Sequence, residues 1–140
     1  MIAKSPNAAG PMTAAIQLNC RALLVDDEPA QRFLLGRLLQ DAGAVVETTV
    51  NGHAAILAIQ AAMFEDHPFD IVLTDLNMPV VSGHGTLKMI RRLGYRTPII
   101  AVSSDDRGDT RDRCLKVGFD AFVDKQHAKE TLVPTVSRLI

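Results

Sequence analysis

The sequence predicts an α/β fold in which a doubly wound, five-stranded parallel sheet carries helices on both faces. Short apolar runs bounded by Asp, Gly or Pro alternate with longer segments whose apolar residues recur every three or four positions. This alternation is typical of βα units around a parallel sheet. The chain of 140 residues is long enough for one hydrophobic core and too short to expect two.

The first predicted strand and helix show this pattern clearly. The run RALLV (21–25) suits a strand that is buried on both faces. Pro29 fits the first turn of the following helix, and Gly43 is expected to end that helix. The apolar residues of the helix recur at spacings of three and four, which predicts an inward face: Ala30, Phe33, Leu34, Leu38 and Ala42.

The rest of the chain repeats the alternation. Four further strands are predicted at residues 44–50, 69–75, 97–104 and 120–125. Four further helices are predicted at residues 52–63, 84–93, 109–118 and 127–140. Pro134 lies within the last of these, where it predicts a kink, a break or a later helix start.

Composition excludes several classes of function. The hydrophobic fraction of 47%, with 22% charged residues and no long apolar run, predicts a globular protein that does not span a membrane. A net charge of −1 provides no basic field for direct binding of nucleic acid or anionic lipid. Cys20 and Cys114 are interpreted as reduced thiols of a cytoplasmic protein. Residues 1–19 are a poor secretory signal and are predicted to be a flexible extension before one domain at 20–140.

Polar side chains occur where four of the five predicted strands end. Asp26 and Asp27 follow the first strand, Asp75 ends the third, Ser103 lies in the fourth and Lys125 ends the fifth. Each aspartate alone could simply cap a helix or a loop. The carboxyl ends of parallel strands nevertheless line one edge of the sheet, where ligands bind at the topological switch point. We therefore expect all five side chains to converge there.

The three aspartates predict a divalent metal site. If the strand order is 2-1-3-4-5, the first and third strands are neighbours, and Asp26, Asp27 and Asp75 come within a few ångströms of one another. Like charges at that range disfavour joint ionisation unless a cation is present, and carboxylate oxygens suit Mg²⁺. A carboxylate nucleophile beside Mg²⁺, Lys125 and Ser103 fits phosphoryl transfer.

Four motifs carry a family resemblance. The stretches LLVDDEPAQR, DIVLTDLNMPVVSG, TPIIAVSS and GFDAFVDK, in this order and spacing, resemble the receiver domain of two-component response regulators, including the chemotaxis-regulator type. The resemblance covers residues 20–140 and implies the flavodoxin-like strand order 2-1-3-4-5. It also implies that Asp75 is the phosphoacceptor, Asp27 a direct Mg²⁺ ligand, Asp26 a ligand often acting through water, and Asn77 a ligand through its main-chain carbonyl.

The resemblance also implies a switch and its partners. Ser103 takes the switch Ser/Thr position, Phe122 the aromatic switch position and Lys125 the position of the family's invariant lysine. A histidine kinase or histidine phosphotransfer protein would supply the phosphoryl group. Helix four, strand five and helix five would then change partner preference, and homodimers through that face are common in the family. The stretch RDRCLKVGFDAF is similar to receivers attached to hybrid kinases.

Two alternative functions remain at this point. The first is an Mg²⁺-dependent phosphatase with an Asp nucleophile, although Asn77 stands where such an enzyme commonly carries a second acid. The second is a receiver-fold interaction module that is not phosphorylated. Gln126 keeps this alternative open, because the family usually has proline after the lysine, often with a cis peptide bond. The leading interpretation is a signalling switch that catalyses only its own phosphorylation and dephosphorylation.

Overall fold

The sheet contains five parallel strands in the order β2-β1-β3-β4-β5, which confirms the predicted doubly wound topology. The structure is a computed structural model that describes residues 16–105 and 107–140. The strands are β1 (Arg21–Val25), β2 (Val45–Thr49), β3 (Ile71–Asp75), β4 (Ile99–Ser103) and β5 (Ala121–Asp124). The helices are α1 (Pro29–Asp41), α2 (Gly52–Phe64), α3 (Gly83–Arg92), α4 (Gly108–Val117) and α5 (Ala128–Leu139). A 3₁₀ turn, Lys125–His127, joins β5 to α5.

Helices cover both faces of the sheet, as predicted, and each face has its own apolar layer. One layer packs the inner sides of α2, α3 and α4 against side chains such as Leu23 and Val72. The other packs α1 and α5 against Leu24 and Leu73. Successive residues of β1 and β3 therefore point into opposite layers, and both strands are almost completely buried. This burial makes them rigid supports for the groups at their carboxyl ends.

The second to fifth strands each begin one or two residues later than the apolar runs indicate, and an aspartate explains the later start of β3 and of β5. Residues 69 and 70 were predicted to belong to the third strand, but β3 begins at Ile71. The Asp70 carboxylate instead accepts a hydrogen bond from the Arg21 amide at 2.7 Å. Similarly, the Asp120 carboxylate accepts one from the Ile99 amide at 2.9 Å. Each aspartate thus satisfies the free amide at the start of a neighbouring strand, which shortens its own strand.

The predicted inward face of α1 is only partly right. Leu38 and Ala42 pack against the apolar layer, but Ala30 is exposed. Phe33 is 69% exposed and Leu34 is also exposed, whereas Leu35 and Leu39 are buried against the sheet. Leu34 and Leu38 are four residues apart, and so are Leu35 and Leu39. Periodicity alone therefore did not distinguish the two faces of the helix. A break or a later helix start at Pro134 is wrong, because α5 continues through this residue from Ala128 to Leu139.

The packed part of the chain starts before the predicted domain boundary. Leu18 is fully buried, and its amide donates a hydrogen bond to the Ala42 carbonyl at 2.7 Å. Residues 1–15 of the predicted extension lie outside the described residues. Within the part of the chain that the structure describes, no helix combines the length and apolar character needed to cross a membrane.

The two cysteines should resist alkylation while the protein is folded. Cys20 and Cys114 are both free thiols and both buried, and burial raises the pKa of each thiol. Because the thiolate is the reactive form, iodoacetamide should modify neither cysteine in buffer and both in denaturant. Mass spectrometry over time checks this, with Ser104→Cys as the exposed reference. Native modification of either thiol at the rate of that reference would contradict the assigned packing.

Candidate functional site

The site forms where β1 and β3 end side by side. Val25 and Thr74 are paired in the register of these strands, so Asp26 and Asp75 follow at equivalent positions. One carboxylate oxygen from each of Asp26, Asp27 and Asp75 lies within 4.8 Å of the other two. The structure therefore brings together the three carboxylates that the sequence predicted to meet.

Asp26 is held rigidly by its surroundings. Its amide donates to the Thr49 carbonyl at 3.1 Å, its carbonyl accepts from the Arg32 guanidinium at 2.8 Å, and its Oδ1 accepts from the Glu28 amide at 2.9 Å. The second carboxylate oxygen, Oδ2, is buried and accepts no hydrogen bond. It meets the Lys125 ammonium only as an ion pair at 3.1 Å. A buried carboxylate oxygen with free acceptor capacity is suited to a cation.

The residue that caps helix α1 is neither Asp26 nor Asp27. Glu28 is the N-cap of α1, and its side chain accepts a hydrogen bond from the Gln31 amide at 2.7 Å. Asp27 is exposed on the same rim. Since Glu28 caps the helix, Asp27 is left available for another role.

Asp75 ends β3 with its side chain nearly buried. Its Oδ1 accepts a hydrogen bond from the Asn77 amide at 3.3 Å, and its Oδ2 lies 3.4 Å from the Lys125 ammonium. Burial raises the pKa of the Asp75 carboxyl; Lys125 opposes this and the neighbouring Asp26 charge adds to it. The charged form that a nucleophile requires is thus disfavoured unless further positive charge is present.

Lys125 reaches the site from the end of the edge strand β5. It begins the 3₁₀ turn after β5, and its largely buried ammonium contacts both Asp26 and Asp75. The turn is fixed by Asp124, whose Oδ1 accepts from the Gln126 amide at 2.9 Å. The described residues contain no cis peptide bond. Although Gln126 occupies the usual proline position, the Lys125 side chain points into the acidic cluster.

The charges of the cluster fit a divalent cation. With all groups ionised, three carboxylates and one ammonium leave an excess of two negative charges. A site with this excess, carboxylate oxygens within reach of one another and a buried Asp26 Oδ2 that accepts no hydrogen bond fits a hard cation such as Mg²⁺. The donor set consists of oxygen atoms only, which favours Mg²⁺ over softer metals.

Ser103 and its neighbour Ser104 have different environments. Ser103 is the last residue of β4 and is fully buried, whereas Ser104 is exposed. The Ser103 hydroxyl accepts a hydrogen bond from the Asp105 amide at 3.1 Å. Of the two serines, only Ser103 is therefore fixed within the sheet edge.

The loop after β4 is organised by Asp105. Its carboxylate forms an ion pair with Arg107 at 2.8 Å and accepts from the Thr110 hydroxyl at 3.0 Å. Hydrogen bonds from Arg107 hold the pKa of this carboxyl well below its usual range. Residues of this loop, α3 and α4 enclose a cavity of about 250 Å³. Its lining includes both Ser103 and Asn77, so it adjoins the end of β3.

Phe122 lies in β5 with its ring directed into the apolar layer beneath α4. The Arg111 guanidinium covers the ring at 5.2 Å from its centroid. This contact links α4 to β5, the strand that leads into the turn with Lys125. Phe122 is therefore a core residue whose outer edge is covered by one charged side chain.

Sequence reasoning missed Gly83, which shapes the backbone around Asp75. Gly83 is the first residue of α3 and donates its amide to the Leu76 carbonyl at 2.9 Å. A Cβ atom at this position would overlap the Asp75 carbonyl oxygen and lie 2.8 Å from Leu76 Cα. Its place between a loop and a helix was the only signal, because such a contact depends on tertiary structure.

We expect Gly83→Ala to destabilise the protein by about 1–3 kcal/mol, because the clash is with backbone that cannot move aside. Gly36→Ala is the matched control, since the nearest atom there is Leu24 Cδ2 at 4.0 Å. In the middle of α1 that change should stabilise by about 0.5–1 kcal/mol. Urea unfolding measures both. Equal effects of the two substitutions would contradict the close packing at Asp75.

Comparison with known proteins identifies similar chains. Residues 22–137 match the family model described as the response regulator receiver domain. The two-component response regulator ORR41 of rice (Oryza sativa subsp. japonica) is 40% identical over 114 residues, which cover 80% of this chain and 87% of that protein. The sensor histidine kinase GacS of Pseudomonas protegens is 35% identical over 121 residues. Those residues cover 83% of this chain but only 13% of the kinase.

A solved structure extends the similarity to the three-dimensional level. The receiver domain of the histidine kinase CKI1 from Arabidopsis thaliana, in complex with Mg²⁺ and BeF₃⁻, superimposes with a TM-score of 0.70 at 28% identity. The match covers 92% of this chain and 95% of that one. Proteins similar to this chain thus occur both as response regulators and as receiver segments of much longer kinases.

Proposed function

This chain belongs to the family of response regulator receiver domains, and from that premise we propose that it accepts a phosphoryl group from a phosphohistidine onto Asp75. As a receiver of two-component or phosphorelay signalling, it is not a member of a conventional enzyme family. The observation that carries the assignment to Asp75 is its position. It ends the central buried strand, within 4.8 Å of Asp26 and Asp27 and 3.4 Å from the Lys125 ammonium.

The transfer exchanges one bond to phosphorus for another. An Asp75 carboxylate oxygen forms a bond to phosphorus while the phosphorus–nitrogen bond of the donor histidine breaks. The histidine nitrogen keeps the electron pair, and the product is an acyl phosphate. Lys125 stabilises negative charge on the phosphoryl oxygens from its position beside Oδ2 of Asp75. Later attack by water releases phosphate and restores the carboxylate.

Asp26, Asp27, Asp75 and the main-chain carbonyl of Asn77 would hold Mg²⁺. The excess negative charge and the buried Oδ2 of Asp26, which accepts no hydrogen bond, support this assignment, as does the Mg²⁺ in the similar CKI1 receiver structure. When bound, the ion supplies positive charge that favours ionised Asp75 and neutralises the transferring phosphoryl oxygens. The role of Asp26 and Asp27 is to hold it without competing for the phosphoryl group.

Phosphorylation changes the surface through Ser103 and Phe122. Ser103 moves its hydroxyl toward the phosphoryl group and gives up its bond from the Asp105 amide. The loop that contains Asp105 continues into α4, whose Arg111 covers the ring of Phe122. A shift at the end of β4 can therefore alter the face formed by α4, β5 and α5 and its preference for an effector or for a second receiver.

The phosphodonor is a histidine kinase or a histidine phosphotransfer protein. Receivers similar to this chain occur within sensor histidine kinases, which supports a donor of this class. Free, buried Cys20 and Cys114 are in keeping with action in the cytoplasm. The face of α4, β5 and α5 has a mixed charge, including Arg111, Glu130 and Arg138. This composition favours a protein partner over nucleic acid.

A transfer assay tests the proposed function. A histidine phosphotransfer protein carrying labelled phosphohistidine is mixed with this chain and Mg²⁺, and the label is followed on both proteins. We expect label to move to the chain and none to move to Asp75→Asn. A second assay supplies a small phosphate ester in place of the phosphotransfer protein. Steady turnover of that ester without a lasting protein adduct would instead indicate a phosphatase. Failure of both reactions, in the presence of measured Mg²⁺ binding, would indicate an interaction module that is not phosphorylated.

A further inference from the structure

Helix α2 has an outer face without charged residues. Between Gly52 and Phe64 the helix contains no Asp, Glu, Lys or Arg, although the surface of a helix in a globular protein is normally charged or polar. Ala55, Ile59 and Ala62 form its buried side. On the opposite side Leu57 is 67% exposed and Phe64 is 92% exposed. With Met63, which is 46% exposed, three large apolar side chains are thus left in solvent on one helix, and Leu57 and Phe64 are the most exposed of them.

We propose that this outer face binds the same face of a second copy of the chain, with the two α2 helices antiparallel about a twofold axis. The face, called the α2 stripe, consists of His53, Leu57, Gln60, Ala61 and Phe64, all exposed. These residues share one side of the helix because their spacings follow its 3.6-residue period. This surface is distinct from the face formed by α4, β5 and α5.

The shape of the α2 stripe is self-complementary in this orientation. A twofold axis passing between Gln60 and Ala61 sets Leu57 of each copy opposite Phe64 of the other. It also sets each Gln60 opposite the small Ala61 of the other copy, which leaves room for the longer side chain. Large side chains therefore meet at both ends of the contact, and a small one allows close approach at its centre.

The charges favour an antiparallel pair. The stripe carries no acidic side chain and no Lys or Arg, so the contact brings no such charge of one copy against another. Glu65 and Asp66 directly follow α2. In the antiparallel arrangement they approach the amino end of the other α2, which carries the positive end of the helix dipole and His53. Acid at one end thus meets partial positive charge at the other.

The other large exposed aromatic residue of the described chain does not offer such a surface. Phe33 on α1 is 69% exposed but lies between Arg32 and Arg37, and the Arg37 guanidinium is 6.0 Å from its ring centroid. A twofold contact there would bring arginines of two copies together. This contrast selects α2 rather than α1 as the self-association surface.

The contact should be weak. Helix α2 has 13 residues and is therefore about 20 Å long, so one pair of such helices falls at the small end of specific interfaces. We expect reversible dimers whose population rises with protein concentration and that dissociate on strong dilution.

Sedimentation velocity over a dilution series tests the proposal. Wild-type protein should shift from monomer toward dimer as its concentration rises. Leu57→Glu and Phe64→Lys should each remain monomeric, because each buries an unpaired charge in the contact. The double variant should regain association, because the introduced carboxylate of each copy then meets the introduced ammonium of the other. Within one chain these two positions are two turns, or about 10.5 Å, apart along the helix. Phe33→Glu is the control and should associate like wild type.

A cross-linking experiment measures the orientation independently. Since Cys20 and Cys114 are buried, a cysteine introduced by Ala61→Cys should form a disulfide between two copies under mild oxidation. Ser104→Cys, which also introduces an exposed thiol, should not do so. A wild-type protein that stays monomeric at the highest concentration, or single variants that associate normally, would overturn the proposal. A double variant that stays monomeric together with no cross-link at position 61 would overturn it as well.

Discussion

Replacement of Lys125 by methionine is expected to slow phosphoryl transfer to Asp75 by about 10²–10³-fold, the usual effect of removing one group that stabilises developing negative charge. The reason is geometric. The Lys125 ammonium is the cation of the described structure that contacts both Asp26 and Asp75, at 3.1 Å and 3.4 Å. Methionine keeps the unbranched apolar stem of the side chain and removes the ammonium group. Rates of acyl phosphate formation at saturating donor measure the effect.

The control for this variant is Lys129→Met, which removes a charge of the same sign from the exposed surface of α5. It should transfer at the wild-type rate. Circular dichroism and thermal unfolding show whether Lys125→Met remains folded. If the folded Lys125→Met protein were phosphorylated as fast as wild type, its ammonium would have no part in the transfer, and the assignment of Lys125 would be wrong.

Asp26→Asn is expected to lower Mg²⁺ affinity by at least about 10-fold, since changes even beyond the direct ligands of a metal typically cost 10–100-fold. Asn retains the Oδ1 atom that accepts from the Glu28 amide at 2.9 Å and replaces the buried Oδ2, which accepts no hydrogen bond, with an amide nitrogen. The local fold should therefore persist while the cation loses a ligand atom. Isothermal titration calorimetry with Mg²⁺ measures the change directly.

Asp41→Asn provides the matched control for the same chemical change. Asp41 is exposed at the end of α1 and pairs only with Arg37, at 3.7 Å, among the described ion pairs. Its substitution should leave Mg²⁺ affinity unchanged. Mg²⁺ should also raise the unfolding temperature of wild type and of Asp41→Asn by similar amounts, and that of Asp26→Asn by less, because a ligand stabilises the state that binds it. Equal Mg²⁺ affinities for wild type and Asp26→Asn would place the cation elsewhere.

The topology and the acidic cluster were predictable because both depend on patterns within the sequence. Buried parallel strands are continuous apolar runs, and their polar carboxyl ends identify the rim where Asp26, Asp27 and Asp75 meet. The strand starts were less predictable. Phe69 and Phe119 are buried like strand residues, yet the following Asp70 and Asp120 bind amides of neighbouring strands. Such contacts join residues far apart in the sequence.

Helix faces and close backbone contacts were the hardest features to predict. In α1, Leu34 and Leu38 have the same spacing as Leu35 and Leu39, and only packing against β1 decides that the second pair is buried. Gly83 contacts the backbone of Asp75 through the absence of a side chain, which leaves no pattern along the chain. The effect of Gln126 could not be predicted either, because the direction of Lys125 depends on the Asp124 cap in the following turn.

The most direct test of the central claim is intact mass after incubation with Mg²⁺ and acetyl phosphate, followed by mapping of the modified peptide. We expect one added phosphoryl group on Asp75 of the wild-type chain. We expect no addition to Asp75→Asn and none to wild type in the presence of a metal chelator. A phosphoryl group that appears on Asp75→Asn to the same extent, or on wild type without divalent cation, would contradict Asp75 as the metal-dependent acceptor.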